Sequence, residues 1–169
     1  MANLGKKYEE LFEQLLDRSH VAYLKIDQTR RRQELSGPVK NFDYIISSLA
    51  GKYLVEVKGK TNEGGSLANW VHHSDIEGLK YWSLQLTGLR PLIVFVFGHT
   101  QQLERRLGGS VRLVTFRGAR YLVVGVDFAR YFAHARNMSP RWKAFDVDHD
   151  LFTTIAKPVF EFIPEIKAT

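Results

Sequence analysis

The sequence contains no cysteine among its 169 residues, and this absence excludes several chemistries at once. Without a thiol the chain forms no disulfide, carries out no thiol catalysis and binds no zinc through cysteine, which suits a reducing compartment. No apolar run approaches the roughly 18–20 residues that a membrane-spanning helix needs. The N-terminal stretch MANLGKKYEE has no apolar segment of signal-peptide length. We therefore expect a cytoplasmic protein that does not contact a membrane.

The overall composition is typical of one globular domain. Hydrophobic residues make up 44% of the sequence and charged residues 25%, which are ordinary proportions for a globular protein. The length fits a single domain covering residues 1–169. The formal net charge is +6 and the isoelectric point is near 9.6, so a polyanionic partner is favoured.

Two β-strands joined by a short turn are predicted in one apolar stretch that charged residues interrupt. Phe42–Ser48 and Tyr53–Gly59 have the β-branched and aromatic composition of strands, and Leu49–Lys52 is a glycine-containing connection. Glu56 and Lys58 lie two residues apart, so they share one face of their strand.

The pairing register decides whether Asp43 joins that face. With a four-residue loop, Ile45 lies opposite Glu56, and Asp43 lies opposite Lys58 and diagonal to Glu56. A slip by one residue would send Asp43 to the other face of the sheet.

Two carboxylates and an ammonium group on one sheet face form a candidate metal site. Carboxylate oxygens suit Mg²⁺, which keeps several of its waters and so needs few protein ligands. The alternative is a solvated hairpin face with a cross-strand ion pair. We favour a functional role because Glu56 and Lys58 interrupt Leu54, Val55 and Val57, and a carboxylate in such an apolar strand is costly without a partner.

The spacing of these residues resembles a known signature. Asp43, an interval of twelve residues and then Glu56-Val57-Lys58 within LVEVKG are similar to the motif of the PD-(D/E)xK nuclease superfamily. That superfamily has an α-β-β-β-α-β core and includes restriction endonucleases, Holliday-junction resolvases and RecB-type exonucleases. The resemblance implies that Asp43 and Glu56 bind Mg²⁺, with Mn²⁺ as a substitute, and that Lys58 assists the attacking water. Phe42 stands where the family often has proline, which is a departure.

A helix predicted over Leu4–Arg18 adds a further candidate ligand. Its apolar residues recur at helical spacing, and Glu9 lies at the edge of the apolar stripe. The sequence Gly5-Lys6-Lys7-Tyr8-Glu9 resembles the first helix of resolvase-like members, where a glutamate leans towards the metal site. The resemblance implies that Glu9 is an auxiliary catalytic and metal-binding residue, with Glu13 as the second choice. A plain surface acid is the alternative.

Basic and aromatic residues around the predicted site are candidate contacts to nucleic acid. A block of three arginines precedes the loop signal Ser36-Gly37-Pro38 and would clamp phosphates, although a solvated basic loop explains it equally well. A helix predicted over Asp75–Leu86, opened by a capping box at 74–77, carries two more candidates. The residues expected to contact nucleic acid are Arg30, Arg31, Arg32, Lys60, Lys80 and Tyr81.

The order of predicted elements over residues 4–97 is helix, strand, strand, strand, helix, strand, as in the superfamily core. Pro91–Phe97 is a continuous apolar run, which indicates a strand buried on both faces in the middle of a mixed sheet. We therefore expect an α/β, restriction-endonuclease-like αβββαβ fold with a mixed central sheet flanked by helices. Residues 98–169 would elaborate this core.

The leading hypothesis is a Mg²⁺-dependent endonuclease that hydrolyses phosphodiester bonds in DNA, with RNA left open as a substrate. Branched DNA, as for a resolvase, is the preferred substrate class. A resolvase needs two active sites, which would imply a homodimer, but the sequence carries no dimer signature. One alternative is a catalytically inactive nucleic-acid-binding module on the same fold. Another is an interaction protein whose hairpin charges only decorate its surface.

Overall fold

The computed structural model describes residues 2–35, 37–61, 66–138 and 140–166 of the chain, with side chains from residue 5 onward. Within these ranges the polypeptide forms five α-helices and twelve β-strands, many of them short. No helix in the described part of the chain is long and apolar enough to cross a membrane.

The elements follow one another as alternating groups of strands and helices. The helices are α1 (Ala2–Arg18), α2 (His73–Gln85), α3 (Gln101–Leu107), α4 (Phe128–His134) and α5 (His149–Ile155). The strands are β1 (Ala22–Lys25), β2 (Gln33–Glu34), β3 (Gly37–Pro38), β4 (Tyr44–Ser48), β5 (Gly51–Lys60), β6 (Val71–His72), β7 (Arg90–Gly98), β8 (Leu113–Phe116), β9 (Ala119–Asp127), β10 (Arg136–Asn137), β11 (Ala144–Asp146) and β12 (Lys157–Pro158). A 3-10 helix spans Val159–Glu161.

A mixed sheet of seven strands forms the centre of the fold. Its strands run in the order β1-β4-β5-β7-β9-β12, and β8 pairs with β9 outside this path. The β5–β7 pair is parallel, whereas the β7–β9 pair is antiparallel. Residues 92–97 of β7 are all buried, as expected for a strand covered on both faces. The predicted central strand and mixed sheet are confirmed.

Helices cover both faces of this sheet and create two hydrophobic cores. On one face, α1 packs Leu11, Phe12 and Leu16 into a core that includes Val55 and Val57 of β5. The other core contains residues of α2, α4 and α5 together with alternate residues of β7. Because side chains alternate along a strand, Glu56 and Lys58 point to the opposite face from Val55 and Val57, which is the face covered by α2.

The hairpin of β4 and β5 forms where the sequence predicts it but in a different register. Ile45 lies opposite Leu54 instead of Glu56, because the two-residue turn Leu49-Ala50 replaces the expected four-residue loop. The expected register is therefore wrong by two residues. A displacement of two preserves which side chains share a face, so Asp43, directly before β4, keeps the same parity as Glu56.

Helix α2 begins earlier than the sequence predicts. It starts at His73, with His72 in the N-cap position and no capping hydrogen bond from that side chain. Ser74 therefore lies inside the helix, and the expected capping box is wrong. Glu77 is exposed and forms a 3.1 Å ion pair with Lys80 instead.

Two small sheets lie outside the central one, and the sequence pattern does not predict them. The strands β10, β11 and β6 form a three-stranded sheet, and β2 pairs with β3. Strands of two or three residues are too short to show the alternation by which strands are recognised.

A close approach between α2 and the segment before β4 determines where Lys40 lies. A Cβ atom added to Gly78 would lie 2.5 Å from the backbone oxygen of Lys40, so only glycine fits there without movement. The same oxygen accepts a 3.1 Å hydrogen bond from Nε1 of Trp82. The backbone of Lys40 is thus held against one side of α2.

Replacing Gly78 with alanine should destabilise the protein by about 1–3 kcal/mol, because the new methyl group overlaps a backbone atom that cannot rotate away. This loss should exceed the helix propensity gained by alanine, which is about 1 kcal/mol. Urea unfolding would measure the change. Gly109→Ala is the matched control, since no heavy atom lies within 4 Å of its added Cβ, and it should change stability by less than about 0.5 kcal/mol. Equal stability of the two variants would contradict the prediction.

Candidate active site

Neighbouring strands bring two acids and a lysine to one region of the sheet. Asp43 lies directly before β4, and Glu56 and Lys58 lie on β5. Asp43 is 9% exposed and Glu56 is 2% exposed, so both carboxyl groups are buried. The backbone N–H of Val57 donates a 2.7 Å hydrogen bond to Oδ2 of Asp43, which fixes that carboxyl group beside β5.

Lys58 contacts two carboxyl groups. Its Nζ lies 2.6 Å from Oε1 of Glu56 and 2.6 Å from Oδ2 of Asp75, which lies in the first turn of α2. The second contact has the distance of an ion pair without the alignment of a hydrogen bond, so Oδ2 of Asp75 accepts no hydrogen bond from the described residues. Because Asp75 is only 2% exposed, the charge of this oxygen is offset mainly by the neighbouring ammonium group of Lys58.

A second lysine completes a group that we call the charge cluster: Lys40, Glu56, Lys58 and Asp75. Nζ of Lys40 contacts Oδ1 of Asp75 and lies 3.3 Å from Oε1 of Glu56. Two ammonium groups thus face two carboxylates, and the four charges balance. Balance matters here because an unpaired charge in a protein interior costs several kcal/mol.

Sequence reasoning misses Asp75 and Lys40. Asp75 carries a signal, since it precedes the buried Leu79 by four residues and therefore lies on the same side of α2. Residues 74–77 also match a capping box, and that pattern explains Asp75 without assigning it to the site. Lys40 lies in an irregular segment between β3 and β4, where no periodicity indicates the direction of a side chain.

Burial changes the acidity of Asp43. Loss of hydration raises the pKa of its carboxyl group from 3.8 to about 8, and the nearby carboxylates of Glu56 and Glu9 add to this increase. The hydrogen bond from the Val57 N–H opposes the rise but does not cancel it. Asp43 is therefore a carboxyl group that ionises readily only when positive charge is brought close to it.

The donors present fit a hard divalent cation. Asp43, Glu56 and Asp75 supply three buried carboxyl groups, but the charge cluster contains only two ammonium groups. No ammonium or guanidinium group of the described residues lies within ion-pair distance of Asp43. Carboxylate oxygens are the ligands that Mg²⁺ and Mn²⁺ prefer, and Mg²⁺ commonly uses only one or two of them. Among the described residues, no group of three or more acids and histidines is already arranged to hold a metal.

The first helix brings Glu9 near this region without joining it to the charge cluster. Oε2 of Glu9 lies 3.4 Å from Nζ of Lys25, and Oε1 of Glu13 lies 2.6 Å from the same nitrogen. Glu13 also accepts a 2.7 Å hydrogen bond from the hydroxyl of Tyr44. Glu9 affects the pKa of Asp43 through its charge alone, so its expected role as a metal ligand stays a prediction.

The arginine block lies on the protein surface. Arg30, Arg31 and Arg32 are exposed, and Arg32 donates a 2.8 Å hydrogen bond from Nε to Oε1 of Glu34. The hydroxyl of Tyr81 donates to the same oxygen at 2.7 Å. These side chains are accessible to phosphate, and their expected contacts with nucleic acid stay predictions.

The two expected lysine contacts differ in their surroundings. Lys80 is partly exposed, pairs with Glu77 and lies 4.1 Å from the ring centre of Phe132. Lys60 is only 3% exposed, and its Nζ donates a 2.5 Å hydrogen bond to the carbonyl of Trp70 and lies 3.4 Å from the centre of its ring. Burial, with a smaller contribution from the charge of Lys58, lowers the pKa of Lys60 to about 7. A phosphate contact by Lys60 would require that side chain to leave the tryptophan.

Comparison with known proteins supports the fold and does not assign a family. No protein-family model and no curated protein matches the chain. Among solved structures, it is similar to Hjc from Archaeoglobus fulgidus, described as a Holliday junction resolvase from an archaeal hyperthermophile. The TM-score is 0.58, the sequence identity is 10%, and the match covers 98% of each chain. At this identity the likeness shows a shared fold, and the expected α/β fold with a mixed central sheet flanked by helices is confirmed as resolvase- and restriction-endonuclease-like.

In the absence of metal, Asp43→Asn should become increasingly more stable than the wild-type protein as the pH rises. The pKa of Asp43 is higher in the folded protein than in an unfolded chain, so its contribution to stability is complete below about pH 4 and is lost as the pH rises through about 8. Between these pH values the free energy of unfolding of the wild-type protein should therefore fall by up to about 1.4 kcal/mol per pH unit, and that of the variant should not show this decrease. Urea unfolding in EDTA at about pH 5 and about pH 7 would measure this difference and avoid most of the titration of Lys60. The control is Asp150→Asn, because the side chain of Asp150 is 97% exposed, and this variant should follow the wild type. If the free energy of unfolding changes with pH equally in Asp43→Asn and the wild type, the prediction is wrong.

Proposed function

We propose that this protein is a divalent-cation-dependent nuclease that hydrolyses phosphodiester bonds in DNA. The observation that carries the proposal is the burial of Asp43 and Glu56 beside Lys58, with an excess of carboxyl groups over ammonium groups, on a nuclease fold. A decorative surface hairpin would instead keep its charged groups in water.

Asp43 and Glu56 would hold the cation, Mg²⁺ or Mn²⁺. Both present hard oxygen donors from adjacent strands, and the hydrogen bond from Val57 keeps the carboxyl group of Asp43 in place. When bound, the cation polarises a phosphoryl oxygen and offsets the negative charge that develops in the transition state. Glu9 would act as an auxiliary acid if its pairing with Lys25 opened.

Lys58 would orient the attacking water. Its ammonium group donates a hydrogen bond to Glu56 and lies beside Asp75, so the position of Nζ is fixed by two contacts. An ammonium group in a fixed position near the reacting phosphate can orient the attacking water, and this effect falls quickly when the group is displaced.

Asp75 would act as a positioning residue for both lysines. It contacts Nζ of Lys58 with one oxygen and Nζ of Lys40 with the other. Lys40 in turn provides a second ammonium group, at 27% side-chain exposure, that can meet a phosphate oxygen. Burial lowers the pKa of Lys40, the carboxylate of Glu56 opposes this decrease, and the charge of Lys58 adds to it.

The substrate class rests on charge and on the neighbouring arginines. A net charge of +6 and the exposed Arg30, Arg31 and Arg32 provide sequence-independent attraction to a phosphate backbone. Branched DNA is the substrate that we favour, with a homodimer supplying two sites, because the structural neighbour is described as a Holliday junction resolvase. All three motif residues are intact, so an inactive binding module is the less favoured alternative.

The test is cleavage of a panel containing linear duplex, single strand, four-way junction and RNA, each with Mg²⁺, Mn²⁺ or EDTA. Glu56→Gln and Lys58→Ala should each reduce the rate by about 100-fold or more, because each removes a group at the reacting centre. Asp75→Asn should reduce it by about 10–100-fold, the usual effect of losing a group that orients an active-site residue.

Lys52→Ala is the matched control, since Lys52 is an exposed lysine on the same strand β5 and should leave the rate unchanged. Thermal unfolding of every variant would separate a loss of activity from a loss of folding. Cleavage that persists in EDTA, or that is equal in Glu56→Gln and Lys52→Ala, would rule out the proposed site.

A further inference from the structure

The short hairpin formed by β2 and β3 is anchored to the rest of the protein at two points. Its backbone pairs Glu34 with Gly37, and the N–H of Val39 donates a 2.8 Å hydrogen bond to the carbonyl of Arg32. Near the turn, Glu34 accepts the hydroxyl hydrogen bond of Tyr81 from α2.

The base of the same segment is held by a buried asparagine. Asn41 is 6% exposed, and its Nδ2 donates hydrogen bonds of 2.9 Å and 2.7 Å to the carbonyls of Asp27 and Arg30. The two strands of the hairpin are therefore held in place by contacts at their base and at Glu34.

That surface carries an apolar side chain with no structural explanation. Leu35 directly follows β2 and is fully exposed, at 110% of its reference area. Leucine gains about 1.5–3 kcal/mol when it is buried, and this gain is absent here. Nor does leucine favour tight turns, where glycine, asparagine, aspartate and serine are the usual residues.

The surroundings of Leu35 are suited to DNA. Arg30 and Arg31 lie exposed on the segment that leads into the hairpin, and the guanidinium group of Arg30 lies no closer than 3.7 Å to Asp27. A cleft lined by Glu34, Pro38 and Tyr81 runs between the hairpin and α2 and reaches Lys40. Lys40 thus connects this cleft to the charge cluster, and Leu35 directly follows Glu34, which lines the cleft.

We propose that Leu35 is a wedge that inserts between bases of the bound DNA and unstacks one step next to the site of hydrolysis. Apolar side chains flanked by arginines insert into base steps in this way in DNA-bending proteins. The arginines hold the backbone while the leucine gains the burial that it lacks in the free protein. This inference rests on the proposed DNA substrate and goes beyond it by assigning a DNA-distorting element.

The experiment uses duplexes and four-way junctions that carry 2-aminopurine at successive positions, with binding measured in EDTA so that no cleavage occurs. The fluorescence of this base increases when it is unstacked, and wild-type protein should increase it several-fold at one position. Leu35→Ala should lose this increase while binding with less than about a tenfold change in affinity, because the phosphate contacts remain. Leu35→Phe should keep it, since a larger apolar side chain also fills the step.

Leu49→Ala is the matched control, because Leu49 is 87% exposed in the turn between β4 and β5 and should leave the signal unchanged. An increase that is the same in Leu35→Ala and the wild type, absent with the wild type, or lost equally in Leu49→Ala would overturn the wedge. Absence of DNA binding would overturn the wedge together with the proposed substrate. Unstacking that depends on Leu35 in a protein that cuts nothing would support the wedge and overturn the nuclease.

Discussion

Glu56 and Asp75 are buried against two lysine ammonium groups, and the need to keep these charges paired constrains how β5, α2 and the segment before β4 pack together. Both carboxylate side chains are at most 3% exposed, in an interior where an unpaired charge is costly. Removing one partner from such a group typically costs about 3–5 kcal/mol. The cluster joins β5, the longest strand, to α2, and Gly78 allows the backbone of Lys40 to approach α2 closely.

Asp43 makes this arrangement more costly than folding alone would require. It adds a third buried carboxyl group without adding a cation, and its raised pKa reflects that cost. Groups held where their charged form is unfavourable are typical of functional sites, because the bound ligand later supplies the missing interaction. A divalent cation has the charge and the preference for oxygen that this position lacks. The same feature thus explains a loss of stability and a capacity to bind.

Much of the fold could be predicted because its main elements have long, patterned sequences. The continuous apolar run of β7 identifies a central strand, and the alternation in β5 places Glu56 and Lys58 on one face. The hairpin register was wrong by two residues, yet parity survived because the side-chain period of a strand is two. The placement of Asp43 was therefore correct in face although its pairing partner was not.

The remainder of the site depends on tertiary contacts that no local pattern records. Lys40 reaches the charge cluster because α2 packs against an irregular segment, and Asp75 enters it because α2 begins at His73. Both facts follow from the way distant segments meet. The sequence also does not predict the short strands β6, β10 and β11. They are recognised by their pairing with one another rather than by their own composition.

If Asp43 and Glu56 form a divalent-cation site, the protein binds Mn²⁺, and electron paramagnetic resonance measures this binding. The wild-type protein should remove free Mn²⁺ from solution, and Asp43→Asn and Glu56→Gln should each weaken this binding by about tenfold or more. Glu77→Gln, an exposed acid on α2 with 66% side-chain exposure, should bind as the wild type does. A wild-type protein that binds no Mn²⁺, or binding that is the same in all four proteins, would show that these two acids do not form a cation site.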